Sequence, residues 1–253
     1  MTGFFLRILL VLPSMLLLTS ANAGWFGFGG TSWKEEILLH DGQKIIVERT
    51  AKRHGRHEIG QRPPIGDQSI SFTMPETSQH ITWEDNYSDD LGASNFLPML
   101  LDVENGVAYL IASPMGYLSY EKWGRPNPPY VLFKYQDKTW QRIPLQELPS
   151  DISTPNLIIS EADVEAKKVG TRFISAREIQ EINSGFRQPE YRTILREPLP
   201  NGTGWPIPTN VRAEPIAPVM NGKILYYNWW PLAIDWLESE CPTCDHSAIP
   251  SQK

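Results

Sequence analysis

The stretch ILLHDGQKIIVE, residues 37–48, decides the fold class of this chain. Two strand-like runs, residues 37–39 and 44–48, flank the tetrapeptide His40-Asp41-Gly42-Gln43. An Asp-Gly pair between two apolar runs is a strong signal for a β-hairpin, because glycine adopts a positive φ at little cost. The sequence therefore predicts an antiparallel hairpin over this stretch.

Three further hairpins follow along the chain. Apolar and polar residues alternate in residues 69–74, and the alternation resumes at Ile81 and Trp83. Two later pairs of runs are separated by turn residues: 97–103 with 107–112, and 130–135 with 139–143. A period of two is typical of strands that are buried on one face. We therefore expect a mainly β protein, with antiparallel hairpins arranged as a meander or a sandwich.

A partial or small β-propeller is the alternative architecture. The hairpins that end at Trp83 and Trp140 share a strand–turn–strand–tryptophan arrangement, as repeated blades would. No third copy is visible, and the spacing of the two tryptophans exceeds the usual blade period of about 40–50 residues.

The C-terminal half has a different pattern. Ser175 and Glu178 match a capping box, so we expect a short helix that ends near Gly185. Leu157–Ile159 could form one more strand, and prolines recur from residue 188 to residue 218. We therefore expect a few short helices in this half.

These patterns divide the chain into four segments. We assign residues 1–23 to a signal peptide and residues 24–160 to a β-rich core. Residues 161–240 form a mixed helical and proline-rich segment that packs on this core. We expect residues 241–253 to form a flexible C-terminal tail.

The N-terminus carries the features of a secretory signal. Arg7 precedes an apolar run over residues 8–18, and Ala21-Asn22-Ala23 places small residues where a signal peptidase cleaves. The run is short for a bilayer-spanning helix of about 20 residues. We expect cleavage after Ala23, a periplasmic or secreted protein and no membrane span afterwards. An uncleaved anchor is the alternative.

Composition excludes some classes of function. The 253 residues include 23 basic and 29 acidic ones, for a formal net charge of −6. Nucleic-acid binding needs a basic surface, so we expect no nucleic-acid partner. The sequence carries no nucleophile elbow, phosphate loop, dinucleotide fingerprint or HExxH helix, and we expect no cofactor.

Residues 52–58 form a basic island in this acidic chain. His54 and His57 are candidate metal ligands, although tetrahedral zinc needs three or four ligands and the others are not apparent. Arg53 and Arg56 are candidate anion contacts, because guanidinium groups match carboxylates and phosphates. The alternative is a solvated loop between strands.

Carboxylates are concentrated after Trp83. Glu84, Asp85 and Asp89 are candidate catalytic residues, since glycoside hydrolysis uses a pair of carboxylates at a fixed separation. Adjacent acids in a loop are more often a solvated turn, and that alternative stands beside the catalytic one.

The loop over residues 122–130 is a candidate binding surface. Its prolines restrict the backbone, which lowers the entropy cost of presenting Trp123, Arg125 and Tyr130 to a partner. The alternative is a crossover whose Trp123 and Tyr130 belong to the core.

The two cysteines, Cys241 and Cys244, lie near the C-terminus. In an oxidising compartment we expect them to form a small local disulfide. Zinc binding together with His246 is the alternative, but a fourth ligand is missing.

Three stretches resemble those of uncharacterised exported proteins from Gram-negative bacteria: residues 38–49 (LLHDGQKIIVER), 55–60 (GRHEIG) and 122–130 (KWGRPNPPY). The resemblance covers residues 33 to 200. It implies an exported protein, and it implies no activity, ligand or catalytic residue.

We therefore expect an exported, non-catalytic envelope or secreted protein that binds a protein or glycan partner. The alternative is an exported hydrolase that uses carboxylate chemistry of the glycoside-hydrolase kind.

Overall fold

The computed structural model describes residues 30–170, 173–199, 204–206, 219–220 and 223–225. Within these residues the first four strands form one antiparallel meander. They are β1 (Thr31–Leu38), β2 (Lys44–Arg53), β3 (Ile65–Thr73) and β4 (His80–Asp85). The predicted turn at Asp41-Gly42 joins β1 to β2, and Gly42 has a φ of +86°.

A second antiparallel meander follows directly, in the order β5-β6-β7-β8. Its strands are β5 (Phe96–Glu104), β6 (Val107–Pro114), β7 (Val131–Gln136) and β8 (Thr139–Ile143). All four predicted hairpins are therefore confirmed. The mainly β fold class is confirmed with them.

The remaining elements are short. The helices are α1 (Gly116–Lys122), α2 (Ala162–Val169), α3 (Ala176–Asn183) and α4 (Pro189–Arg192), and a 3-10 turn spans Leu145–Glu147. The predicted capping box is present, since the Ser175 side chain accepts from the Glu178 N–H and the Glu178 carboxylate accepts from the Ser175 N–H. Strand β9 (Phe173–Ile174) adds to the first sheet, parallel to β1. A small third sheet consists of β10 (Gly204–Pro206), β11 (Val219–Met220) and β12 (Lys223–Leu225).

The two large sheets share one apolar core. Inward-facing side chains alternate along β1 to β4, and they belong to the same buried cluster as residues of β5 to β7. Aromatic rings join the sheets: the Trp83 ring lies 6.1 Å from that of Phe96 and 6.0 Å from that of Phe133. The described strands thus form two large sheets and one small one, whereas a propeller repeats its blades around a central channel.

The segment 157–159 is buried and is not a strand, so the expected extra strand is wrong. Its polar backbone atoms are bonded to a side chain of β1 and to the edge of β5. Ile158 N donates to Glu35 Oε2 at 3.1 Å, and Leu157 N donates to Met99 O at 3.1 Å. These hydrogen bonds give the two buried backbone N–H groups partners, although the segment does not pair with a neighbouring strand.

A buried ion pair lies beneath the first sheet. Glu35 and Arg49 occupy inward-facing positions of β1 and β2, and their relative side-chain exposures are 0% and 3%. Glu35 Oε1 accepts from Arg49 Nη1 at 2.9 Å and from Trp33 Nε1 at 2.7 Å. Arg49 also donates to Ile158 O at 2.7 Å. The ion pair therefore connects β1 and β2 to the buried segment 157–159 through hydrogen bonds.

Candidate functional site

The connection between β2 and β3, residues 54–64, contains exposed basic residues, and we call it the basic loop. Arg53 is the last residue of β2, directly before the basic loop, and its side chain forms ion pairs that fix the start of the loop. Arg53 donates to both carboxylate oxygens of Asp163, at 2.8 and 2.7 Å, and to Glu161 at 2.8 Å. Burial alone would raise the pKa of Asp163, but the bonds from Arg53 lower it below its ordinary value. Arg53 was predicted to contact an anion, and in the structure the anionic groups that it contacts are the carboxylates of Asp163 and Glu161.

His54 also fixes the base of the basic loop. Its Nε2 lies 2.8 Å from Asp67 Oδ2, and its ring lies 5.0 Å from the Tyr87 ring. His57 is exposed, and its Nδ1 lies 2.9 Å from Gly55 O. The structure gives the two histidines separate partners. No group of three or more His, Cys, Asp or Glu side chains in the described residues could hold a metal ion.

A close backbone contact joins the basic loop to residues 86–94. Arg56 N donates to Gly92 O at 3.1 Å. At Gly55 the φ is +117°, and a Cβ added there would lie 2.2 Å from Gly92 O. Only glycine satisfies both conditions without a backbone shift. The base of the basic loop is therefore held from two sides.

The tip of the basic loop is open to solvent. Ile59 is fully exposed, and Arg56, His57, Glu58 and Arg62 are exposed beside it. Arg62 pairs with Glu161 at 3.0 Å, whereas the hydrogen bond recorded for the Arg56 side chain is a long one of 3.4 Å to the backbone oxygen of Asp89. The tip thus combines an exposed apolar side chain with a guanidinium that forms no salt bridge within the described part of the chain.

The candidate catalytic carboxylates do not share a face. Glu84 is exposed on the outer face of β4, while the next residue, Asp85, points into the core and is buried. Asp85 accepts from Asn95 N, Asn95 Nδ2, Phe96 N and Gln68 Nε2 at 2.8–3.0 Å. Burial raises its pKa, and these donors offset part of the shift. Asp89 is exposed. Asp85 therefore anchors the chain around Asn95, and the strand alternation separates it from Glu84.

The proline loop over residues 122–130 is built into the fold. Tyr130 is only 3% exposed, and its hydroxyl donates to Glu190 O at 2.9 Å. The Trp123 ring is half-buried at 4.6 Å from the Phe96 ring. Arg125 pairs with Glu121 at 2.7 Å. The expected presentation of Trp123 and Tyr130 on the surface is corrected: both pack against the sheets, because large aromatic side chains bury apolar area there.

Sequence reasoning missed a groove beside the first hairpin. The His40 ring and the buried carboxylate of Asp102 lie on one wall, and His40 Nδ1 is 2.7 Å from Asp102 Oδ1. The groove also includes Asp151, Ser153 and Gln180, and we call it the His40 groove. Its volume is about 270 Å³. The only signal in the sequence is a histidine at a hairpin turn, which is common in solvated turns.

Several predicted features lie outside the described residues. These are the signal segment 1–23 and the C-terminal tail 241–253, with the cysteine pair Cys241 and Cys244 and with His246. Among the described helices, none is both long and apolar enough to cross a bilayer.

No family model, curated protein or solved structure matches this chain. Its function is therefore argued from its own residues.

Proposed function

We propose that this chain is an exported, non-catalytic envelope or secreted protein that binds a protein partner through the tip of the basic loop. The observation that carries the proposal is the exposure of Ile59 between Arg56 and Arg62. When a partner covers a large apolar side chain that is fully exposed to water, the burial of its apolar surface favours binding. Arginine is among the residue types that contribute most to binding.

The fixed base of the basic loop supports this function. Binding through a loop costs conformational entropy for every residue that becomes ordered. Here Arg53 Nη1 donates to Pro63 O at 3.0 Å and His54 N donates to Pro64 O at 3.1 Å, so the two flanks of the basic loop are bonded to each other before any partner arrives. Less of the interaction free energy is then lost on binding.

Charge indicates the class of partner. Arg56 is exposed and forms no salt bridge with any of the described residues, and His57 lies beside it. The complementary surface is an apolar pocket with carboxylates at its rim, as a protein surface can provide. Such a rim would raise the association rate, and this part of the effect would weaken with added salt.

Site-specific photo-crosslinking tests the binding function in the native cell. A photoreactive residue at position 59 is expected to give one discrete adduct. The matched control is position 46, because Ile46 is also apolar and exposed but lies on the outer face of β2. Arg56→Glu should abolish the adduct, and Arg177→Glu, an exposed arginine on α3, should not. Equal adducts from positions 59 and 46, or no adduct from either, would refute the proposal.

Export has its own test. The leader of residues 1–23 supports cleavage after Ala23 in the secretory pathway. N-terminal sequencing of the protein from the cell envelope or medium should begin at Gly24. A sequence that begins at Met1 would contradict cleavage.

A further inference from the structure

The His40 groove is a second site, away from the contacts of the basic loop. Four parts of the chain form it: residues 38–40 at the end of β1 and in the β1–β2 turn, Asp102 of β5, the segment from Asp151 to Asn156, and Ala176 and Gln180 of α3. Its volume of about 270 Å³ is close to the lower limit of about 300 Å³ for small-molecule pockets. The groove thus has room for a ligand unit of roughly one ring.

Asp102 positions the imidazole of His40 on the wall of the groove. The Asp102 carboxylate accepts from His40 N at 2.9 Å and from Val103 N at 2.8 Å, in addition to its contact with His40 Nδ1. The ring is therefore held in one orientation. Its other nitrogen, Nε2, has no hydrogen-bond partner recorded among the described residues, and the His40 side chain is 16% exposed. Nε2 is available to a ligand.

The lining excludes several classes of ligand. An anion would meet the carboxylates of Asp102 and Asp151, and among the described residues His40 is the only basic one that lines the groove. An apolar ligand would leave the polar side chains of Ser153 and Gln180 without partners, which is costly. A metal ion would need more ligands than the described residues bring together.

A ligand rich in hydroxyl groups matches the lining. Each hydroxyl both donates and accepts, and the wall offers an acceptor in Asp151, hydroxyls in Ser153 and Thr154, and an amide in Gln180. Leu38, 39% exposed, adds an apolar patch against which the C–H face of a sugar ring can pack.

We propose that the His40 groove binds one ring of a neutral saccharide, with its hydroxyls paired to His40, Asp151 and Gln180. This site does not depend on the basic loop, so a failure of the proposed protein contact leaves it standing.

Ligand-observed NMR with the full mature chain tests the proposal. The probes are methyl α-glucopyranoside, methyl β-galactopyranoside and N-acetylglucosamine, with glucuronate and protonated glucosamine as charged counterparts. At least one neutral probe should receive saturation transfer and shift the His40 ring resonances. Tighter binding of either charged probe, or no transfer to any neutral probe, would overturn the assignment.

Two variants distinguish sugar binding in the His40 groove from nonspecific binding elsewhere on the protein. Asp151→Asn and Gln180→Ala should each weaken binding about tenfold, the effect of losing one good hydrogen bond. Both side chains are exposed, so the fold should survive, and circular dichroism checks this. The matched controls are Asp137→Asn and His80→Gln, exposed residues outside the groove. Equal affinities for groove and control variants would place the sugar elsewhere and refute the proposal.

Discussion

Removing the charge of Glu35 should be among the most damaging single changes in this protein. Glu35→Gln keeps the size of the side chain but replaces one carboxylate oxygen with an NH2 group. Oε1 accepts from Trp33 and Arg49, and Oε2 accepts from Ile158 N. Whichever way the amide turns, one of its N–H groups faces another donor. Arg49 also keeps its charge in the interior without a counter-ion.

The size of the effect follows from burial. Glu35 is 0% exposed and Arg49 is 3% exposed, so water does not replace the lost carboxylate. Breaking such a pair from one side costs about 3–5 kcal/mol. That is a large part of a total stability of about 5–15 kcal/mol. For a domain of this size it corresponds to a fall in Tm of about 6–20 °C.

Urea unfolding followed by tryptophan fluorescence measures this loss. The control is Glu36→Gln: the neighbouring Glu36 pairs with Lys44 at the surface, and its loss should cost at most about 1 kcal/mol. The double variant Glu35→Leu/Arg49→Met removes both charges and should be clearly more stable than Glu35→Gln. A cost for Glu35→Gln no greater than that of the Glu36 control would refute the reasoning.

Two further changes test the contacts around the sites. Gly55→Ala should cost about 2–4 kcal/mol, because the new Cβ would meet Gly92 O at 2.2 Å, whereas Gly60→Ala has open space and should cost about 1 kcal/mol; equal losses in urea titrations would contradict this contact. The hydrogen bond to Asp102 raises the pKa of His40 above 6.5, so its stabilisation is fully present below that pH and is lost as the pH rises through the folded-state pKa. The stability difference between wild type and His40→Gln should therefore shrink as the pH rises above 6.5 and through the folded-state pKa of His40, and a constant difference would disprove the linkage.

The hairpins were predictable because their signals are local. In the stretch 37–48, the Asp41-Gly42 turn and the flanking runs contain most of the information that a hairpin needs. The capping box at Ser175 is local in the same sense, since both of its bonds join residues three apart. Such features depend little on the rest of the chain.

The sequence indicates which charged side chains face the core, but it does not indicate how they pair. Trp33, Glu35 and Ile37 alternate along β1, so the period of two already places Glu35 on the core face. On β2 the same alternation places Arg49 inward, and in the register of the two strands Arg49 lies opposite Trp33, diagonal to Glu35. Reading those positions as a pair requires the strand register, and the strand pattern alone leaves the register open.

The amino-acid sequence by itself determined the eight strands of the two large sheets' hairpins, the turns between the paired strands and the basic composition of residues 52–58. Only the tertiary structure decided that Tyr130 is buried and that Asp102 meets His40. The reason is distance along the chain: the His40–Asp102 contact joins residues 62 apart, and the Arg49–Ile158 contact joins residues 109 apart. Local sequence patterns indicate which residues can pair in a hairpin. The packing of the two sheets decides which polar groups are removed from water, and these groups then need hydrogen-bond partners within the protein.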